Sequence, residues 1–166
     1  MLVPEIEPRR PAVPPPAHKP AGHNLAFDDQ VQNALNLYLP LKTPAQLPAL
    51  RAALLAHAPT VQSALRDLNY VHFARFLPSP DGSALWVVTS YDGGLHAYVM
   101  DFVAVLGDVF TDLLQFVRDA PRLPVQKYPR DFVAFIDKHN VPTGVWSAYP
   151  QLTVIDIQQA TREAAL

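Results

Sequence analysis

The chain has 166 residues, a formal net charge of −2 and no cysteine. That length fits one domain plus an arm and is enough to bury a core, while the missing thiols exclude disulfides, thiolate metal sites and cysteine nucleophiles. Basic residues are scattered and no apolar run reaches the roughly 18 residues of a membrane span, so a cytoplasmic protein with neither nucleic-acid nor membrane partners is expected.

Residues 1–22 hold seven of the eighteen prolines, including Pro14, Pro15 and Pro16. Proline fixes φ and favours extended chain, so residues 1–28 read as a proline-rich arm or linker, and 29–166 as a single domain. Pro4, Pro8 and Pro11 interrupt any apolar signal core. Leu35, Leu37, Leu39 and Leu41 alternate with Asn36, Tyr38 and Pro40, the period of a half-buried strand, with Pro40 marking a terminus or an edge. Thr43 and Pro44 then start a helix whose face carries Leu47, Leu50, Leu54, Ala58, Val61, Leu65 and Leu68. Pro59 within it predicts a kink or a break into two helices.

Two strand-like runs follow, about 71–77 and 84–91, joined by a turn containing Pro78, Pro80, Asp81 and Gly82. Gly93 and Gly94 lead into a second helix with Leu95, Val99, Phe102, Val103, Leu106, Phe110, Leu113 and Val117 on one stripe, ended by Pro121 and Pro124. Asp92 reads as the N-cap of that helix. Tyr128 and Pro129 open a shorter helix through Phe132, Phe135 and Ile136, which stops at Asn140. Gly144 to Tyr149 reads as a last short strand closed by Pro150, and Thr153 with Asp156 as the capping box of a terminal helix.

The order β-α-β-β-α(α)-β specifies an α+β ferredoxin-like sandwich, an antiparallel four-stranded sheet with helices on one face and a C-terminal helix added. The other sheet face needs a cover, and a second copy packed face to face would make a homodimeric α+β barrel with a cavity inside.

The hairpin carries the polar residues hardest to explain by packing alone. His72 and Arg75 lie three apart in a strand, so strict alternation puts them on opposite faces. For Arg75 the preferred reading is an ion pair with Asp92 or Asp101 that ties strand to helix; the alternative is a clamp for a substrate anion. For His72 it is a hydrogen-bonded core histidine, with a general base or haem ligand as the alternative. These two are the candidate catalytic residues. Tyr38, Tyr91, Asp92, Trp146 and Tyr149 are the candidate ligand-binding residues on the cavity wall. His96 and Met100 form an i, i+4 pair read as surface, and no histidine spacing points to a metal site.

Three segments, His72 to Phe76, Thr89 to Gly93 with Tyr98, Asp101 and Phe102, and Ser147 to Pro150 with Leu152 to Val154 and Asp156, together resemble an uncharacterised bacterial family. That family is of the ferredoxin-like, dimeric α+β-barrel type and is distantly similar to dye-decolorising peroxidase domains. The resemblance spans roughly residues 34–157 and implies a fold; it brings no catalytic residues with it. Haem peroxidases, haem-degrading enzymes and cofactor-free monooxygenases belong to the wider superfamily, so fold alone does not choose a reaction. The function expected is a small-molecule binding protein, for haem or an aromatic or lipid-like ligand, or an oxidoreductase using the barrel cavity. The alternative is a non-catalytic dimeric interaction module whose proline-rich arm recruits a partner.

Overall fold

The computed structural model describes residues 30–165; the proline-rich arm lies outside them. Strand β1 (Gln32–Pro40) leads through a single 3-10 turn (Pro44–Gln46) into helix α1 (Leu47–Leu68). The hairpin of β2 (Val71–Pro78) and β3 (Ala84–Asp92) follows, then α2 (Leu95–Leu114), α3 (Pro129–His139) and α4 (Val154–Glu163). The architecture is a mixed α+β fold with a three-stranded antiparallel sheet in the order β1-β3-β2. β3 is antiparallel to both neighbours, so β1 and β2, joined through α1, run parallel on either side of it.

Alternation divides the sheet. Leu35, Leu37 and Leu39 of β1 and Leu85, Val87 and Tyr91 of β3 are buried against the helices. The expected stripe of α2 meets them, from Val99 through Phe102, Val103, Leu106 and Phe110 to Leu113, and α3 closes the core with Phe132, Phe135 and Ile136. At about 1.5–3 kcal/mol for each large apolar side chain removed from water, this single cluster is the main source of stability. Gly82, at φ +70°, closes the hairpin loop against the 3-10 turn; a Cβ there would stand 2.9 Å from the Pro44 Cα and carbonyl oxygen.

Four expectations need correcting. Helix α1 runs unbroken through Pro59, because the proline sits on the exposed side and the i−4 carbonyl it leaves unpaired belongs to exposed Leu55. α2 ends at Leu114, well before Pro121; Val117 instead bridges to Leu41. The N-cap of α2 is Gly94, not Asp92. Residues 144–149 form no strand, so the sheet has three strands among the described residues and not four.

The fourth strand is missing because the edge of β1 is already occupied by side chains. The Asn36 N–H donates to Asn140 Oδ1 (3.2 Å), His139 Nδ1 donates to the Tyr38 carbonyl (3.0 Å), and Gln30 Nε2 donates to the carbonyls of Gln32 and Val145 (3.1 and 3.2 Å). Only scattered backbone bonds remain, such as Val141 N–H to the Asn36 carbonyl and Val31 N–H to the Pro150 carbonyl. Pro142 and Pro150, which have no N–H, bracket the segment and prevent a continuous ladder.

An aromatic row threads the core. Tyr91 stacks on Tyr98 (centroids 3.8 Å apart, planes 13° apart), and Tyr98 packs in turn against Tyr70 and Phe102. Burial pushes the Tyr91 phenol up to about 12 and raises Tyr98; Tyr70 is raised by burial and then by its bond to Asp101. A folded-state value above the unfolded one, about 10, gives stability that is complete below pH 10 and is lost as pH rises through 12. In an alkaline titration, phenolate absorbance from Tyr91 and Tyr98 should therefore appear together with loss of circular dichroism. Ionisation of these two tyrosines in a chain still folded would contradict the packing described.

Candidate functional site

The sheet face turned away from α1, α2 and α3 carries Gln32, Ala34, Asn36 and Tyr38 of β1 and Trp86, Val88, Ser90 and Asp92 of β3. One end of this face is closed. Gln32 Nε2 donates to the carbonyls of Tyr149 and Leu152 (3.1 and 3.0 Å), and the Val154 N–H at the start of α4 donates to Asp92 Oδ2 (2.8 Å). The C-terminal segment thus crosses the sheet where the helices were expected to leave one face entirely bare. α4 begins there because Thr153 and Asp156 form the anticipated capping box, with Asp156 N–H to Thr153 Oγ1 at 3.2 Å and Thr153 N–H to Asp156 Oδ2 at 2.9 Å. The aspartate that receives the helix start is 62 residues away in sequence.

Asp92 has a second partner. Its Oδ1 lies 2.7 Å from His72 Nε2, and both side chains are nearly buried, at 8% exposure for His72 and 11% for Asp92. This overturns the opposite-face reading of His72 and Arg75. The pairing of β2 with β3 shifts between Val71 and Phe73, a bulge that resets the alternation. Val71 therefore opposes core residue Tyr91, whereas His72 turns to Asp92 on the open face, the face that Phe73, Arg75 and Leu77 also occupy.

Arg75 does not pair with Asp92 or Asp101. Asp92 is taken by His72 and Val154, and Asp101 Oδ2 accepts from the Tyr70 hydroxyl (3.0 Å). Arg75 is exposed and makes no hydrogen bond or ion pair among the described residues. It borders an open groove of about 470 Å³. The groove's floor is Ala34, Val88 and Ser90, with Phe73 and Arg75 along one side and residues 143–145 along the other. Asn36 Nδ2 donates to Thr143 Oγ1 (2.7 Å) and fixes that second side.

Of the remaining site candidates, Tyr38 is on this face, 37% exposed and tilted against Trp86 (4.9 Å). Tyr91 is not on it: with 2% exposure it belongs to the core stack. Trp146 and Tyr149, expected as cavity walls, are 79% and 62% exposed, because the segment carrying them is no strand and presents no inward face. Asn36, Thr143 and Val88 are groove residues that sequence reasoning passed over. The spacing of Asn36 within the β1 alternation, on the face of Tyr38, was the one available signal for them.

A dyad of histidine and aspartate suggests a general base, but the geometry is that of a structural bridge. Ser90 shares the face, and no hydrogen bond joins it to His72 among the described residues. Neither do three or more histidine, aspartate or glutamate side chains gather to hold a metal ion among the described residues. No helix there is long and apolar enough to cross a membrane. What the arrangement offers is a guanidinium without a partner among the described residues, at the rim of a largely apolar groove, a suitable seat for one anionic group on an otherwise apolar ligand. Because Arg75 is exposed and has no partner among the described residues, Arg75→Met should leave stability within about 0.5 kcal/mol of the parent, in contrast to the several kcal/mol a buried ion pair would demand. Urea denaturation of the two proteins checks this directly. Comparison of the chain with protein-family models, with curated proteins and with solved structures returns no match.

Proposed function

We propose that this protein binds a small anionic molecule with an apolar, aromatic or lipid-like body in the groove of the open sheet face. A second copy packed on that face as a homodimer completes the enclosure, in the manner of a ferredoxin-like dimeric α+β barrel. The observation that carries this reading is Arg75, a guanidinium with no partner among the described residues, set between Phe73 and Val88 beside a groove of about 470 Å³. Supporting the fold assignment, β3 lies between two parallel strands linked through a helix, the split β-α-β order of ferredoxin-like sheets. The dimer is supported by the uncovered apolar surface of Phe73, Leu77 and Tyr38, which are 74%, 42% and 37% exposed on one face.

Haem fits less well. His72 Nε2 is engaged by Asp92 and the ring is nearly buried, so the histidine of the groove region does not present that nitrogen to an iron atom. The reading therefore rests on anion and apolar recognition, and any oxidoreductase activity would act on the bound ligand. The test uses 8-anilinonaphthalene-1-sulfonate, a probe both anionic and aromatic. Saturable fluorescence enhancement that Arg75→Met weakens by tenfold or more is expected. Light scattering at micromolar concentration should give twice the 18.4 kDa chain mass. A monomer mass, or probe binding indifferent to Arg75, would overturn the proposal, and a Soret band in the purified protein would return haem to its place.

A further inference from the structure

β2 is the outer strand of the sheet, and its free edge runs beside a second groove on the helix side. The Ser79 N–H donates to the Ala84 carbonyl (2.8 Å) at the hairpin end. With the register of the strands, this makes Leu77–Trp86, Arg75–Val88 and Phe73–Ser90 the pairs that exchange backbone hydrogen bonds. The N–H and C=O of Ala74 and Phe76 accordingly point outwards, and no backbone hydrogen bond reaches them among the described residues.

The side chains of the same two residues form one wall of a groove of about 290 Å³. Its other wall is α1, through Leu54, Ala58 and Val61, and α2 supplies Val109 beneath. The groove exists because α1 packs loosely against the sheet. Of the whole α1 stripe only Leu50 is fully buried, and Leu54, Ala58, Val61 and Leu65 remain half-exposed. The backbone donors and acceptors of Ala74 and Phe76, unpaired among the described residues, thus lie along an apolar trench bounded by a helix, the arrangement that accepts an extended peptide as an added strand.

We propose that this edge binds an extended peptide segment of a partner protein, with an acidic residue flanked by two apolar ones. The alternation dictates that chemistry. Residues opposite Ala74 and Phe76 project into the trench and are favoured as valine, leucine or isoleucine. The residue between them emerges on the opposite face beside Arg75, where a carboxylate meets a guanidinium that has no partner among the described residues. A second copy of this chain is a poor occupant. Pairing two β2 strands about a two-fold axis, in the register that uses all four outward groups, sets one Arg75 against the other. The bulge at His72 and the absence of an N–H on Pro78 further confine the usable edge to a short central stretch. This inference goes beyond the open-face ligand reading and needs no dimer.

The experiment is fluorescence anisotropy of the full chain with a labelled, end-blocked peptide Thr-Val-Glu-Leu-Thr. Saturable binding is expected, weakened tenfold or more when lysine replaces the glutamate. N-methylation of the valine and leucine amides, which removes the donors aimed at β2, should weaken it by at least as much. Arg75→Glu should invert the preference between the glutamate and lysine peptides, and Val61→Trp, which fills the trench, should abolish binding. Should Val61→Trp fail to fold, the N-methylated peptide still tests the edge on the unaltered protein. Absence of saturation at millimolar peptide, equal binding of the N-methylated form, or no inversion with Arg75→Glu would each overturn the proposal. So would a β2–β2 dimer that the peptide does not compete away. Both readings use the Arg75 guanidinium, and the N-methylated peptide separates them, because it tests the β2 edge alone and leaves the anionic-probe result untouched.

Discussion

Asp92→Ala is expected to destabilise the protein by about 3–5 kcal/mol, the cost of removing a nearly buried carboxylate that holds both His72 and the first amide of α4. His72 would lose the carboxylate 2.7 Å from its Nε2, and the first N–H of α4 would lose its acceptor at 2.8 Å. In a protein of this size each kcal/mol moves Tm by about 2–4 °C, so a fall of roughly 10 °C is the predicted reading in differential scanning calorimetry. Asp92→Asn keeps an oxygen for the Val154 N–H and should recover a large part of the loss. Equal damage from the two substitutions would mean that the charge, and not the cap on α4, accounts for the whole effect. A change below 1 kcal/mol for Asp92→Ala would show that the pair is solvated and the bridge illusory.

The second large effect is expected at Phe132, which is 1% exposed and packs 5.4 Å from the Phe110 ring. Truncation of a fully buried phenylalanine costs about 3–5 kcal/mol, through lost transfer energy and the cavity left behind. Phe132→Ala should reach that range in chemical denaturation. Its effect should extend to the groove of the open face, because α3 delivers Asn140 and His139 to the edge of β1 and residues 143–145 continue from there. Probe binding should weaken more than the fraction of folded protein explains. If binding per folded molecule is unchanged, the groove's second side does not depend on how α3 is seated.

What the sequence made legible were the elements with strong local signals. The alternation at Leu35, Leu37 and Leu39, the stripe of α2 and the Thr153–Asp156 capping box depend on neighbours two to four residues away, and the structure places them as their periods require. Apart from Pro59, which α1 accommodates on its exposed side, the misreadings involve partners distant in sequence. The bulge at His72 is a property of the pairing between β2 and β3, and no local pattern announces it. Asp92 looked like the cap of the helix that follows it and instead caps one 62 residues later. The segment 144–149 has strand-like composition but arrives at an edge where Gln30, Asn140 and His139 already hold the backbone groups. For the candidate residues, the surroundings were what the sequence hid: Arg75 pairs with neither Asp92 nor Asp101, whose carboxylates are taken by other groups, and Tyr91 lies in the core and not on the open face of the sheet.

The bond from Asp92 to the start of α4 also bears on the order in which the chain folds. The hairpin is a local structure, its strands joined by a five-residue connection, and closing so short a loop is fast. α4 has only ten residues and is too short to persist alone in water, so it waits for the carboxylate that its first amide requires. During synthesis residue 154 leaves the ribosome well after both strands are complete, and α4 then docks onto a sheet already formed. Substitutions that weaken the docking of α4 should accordingly perturb later steps of folding and leave nucleation of the sheet and α2 unaffected.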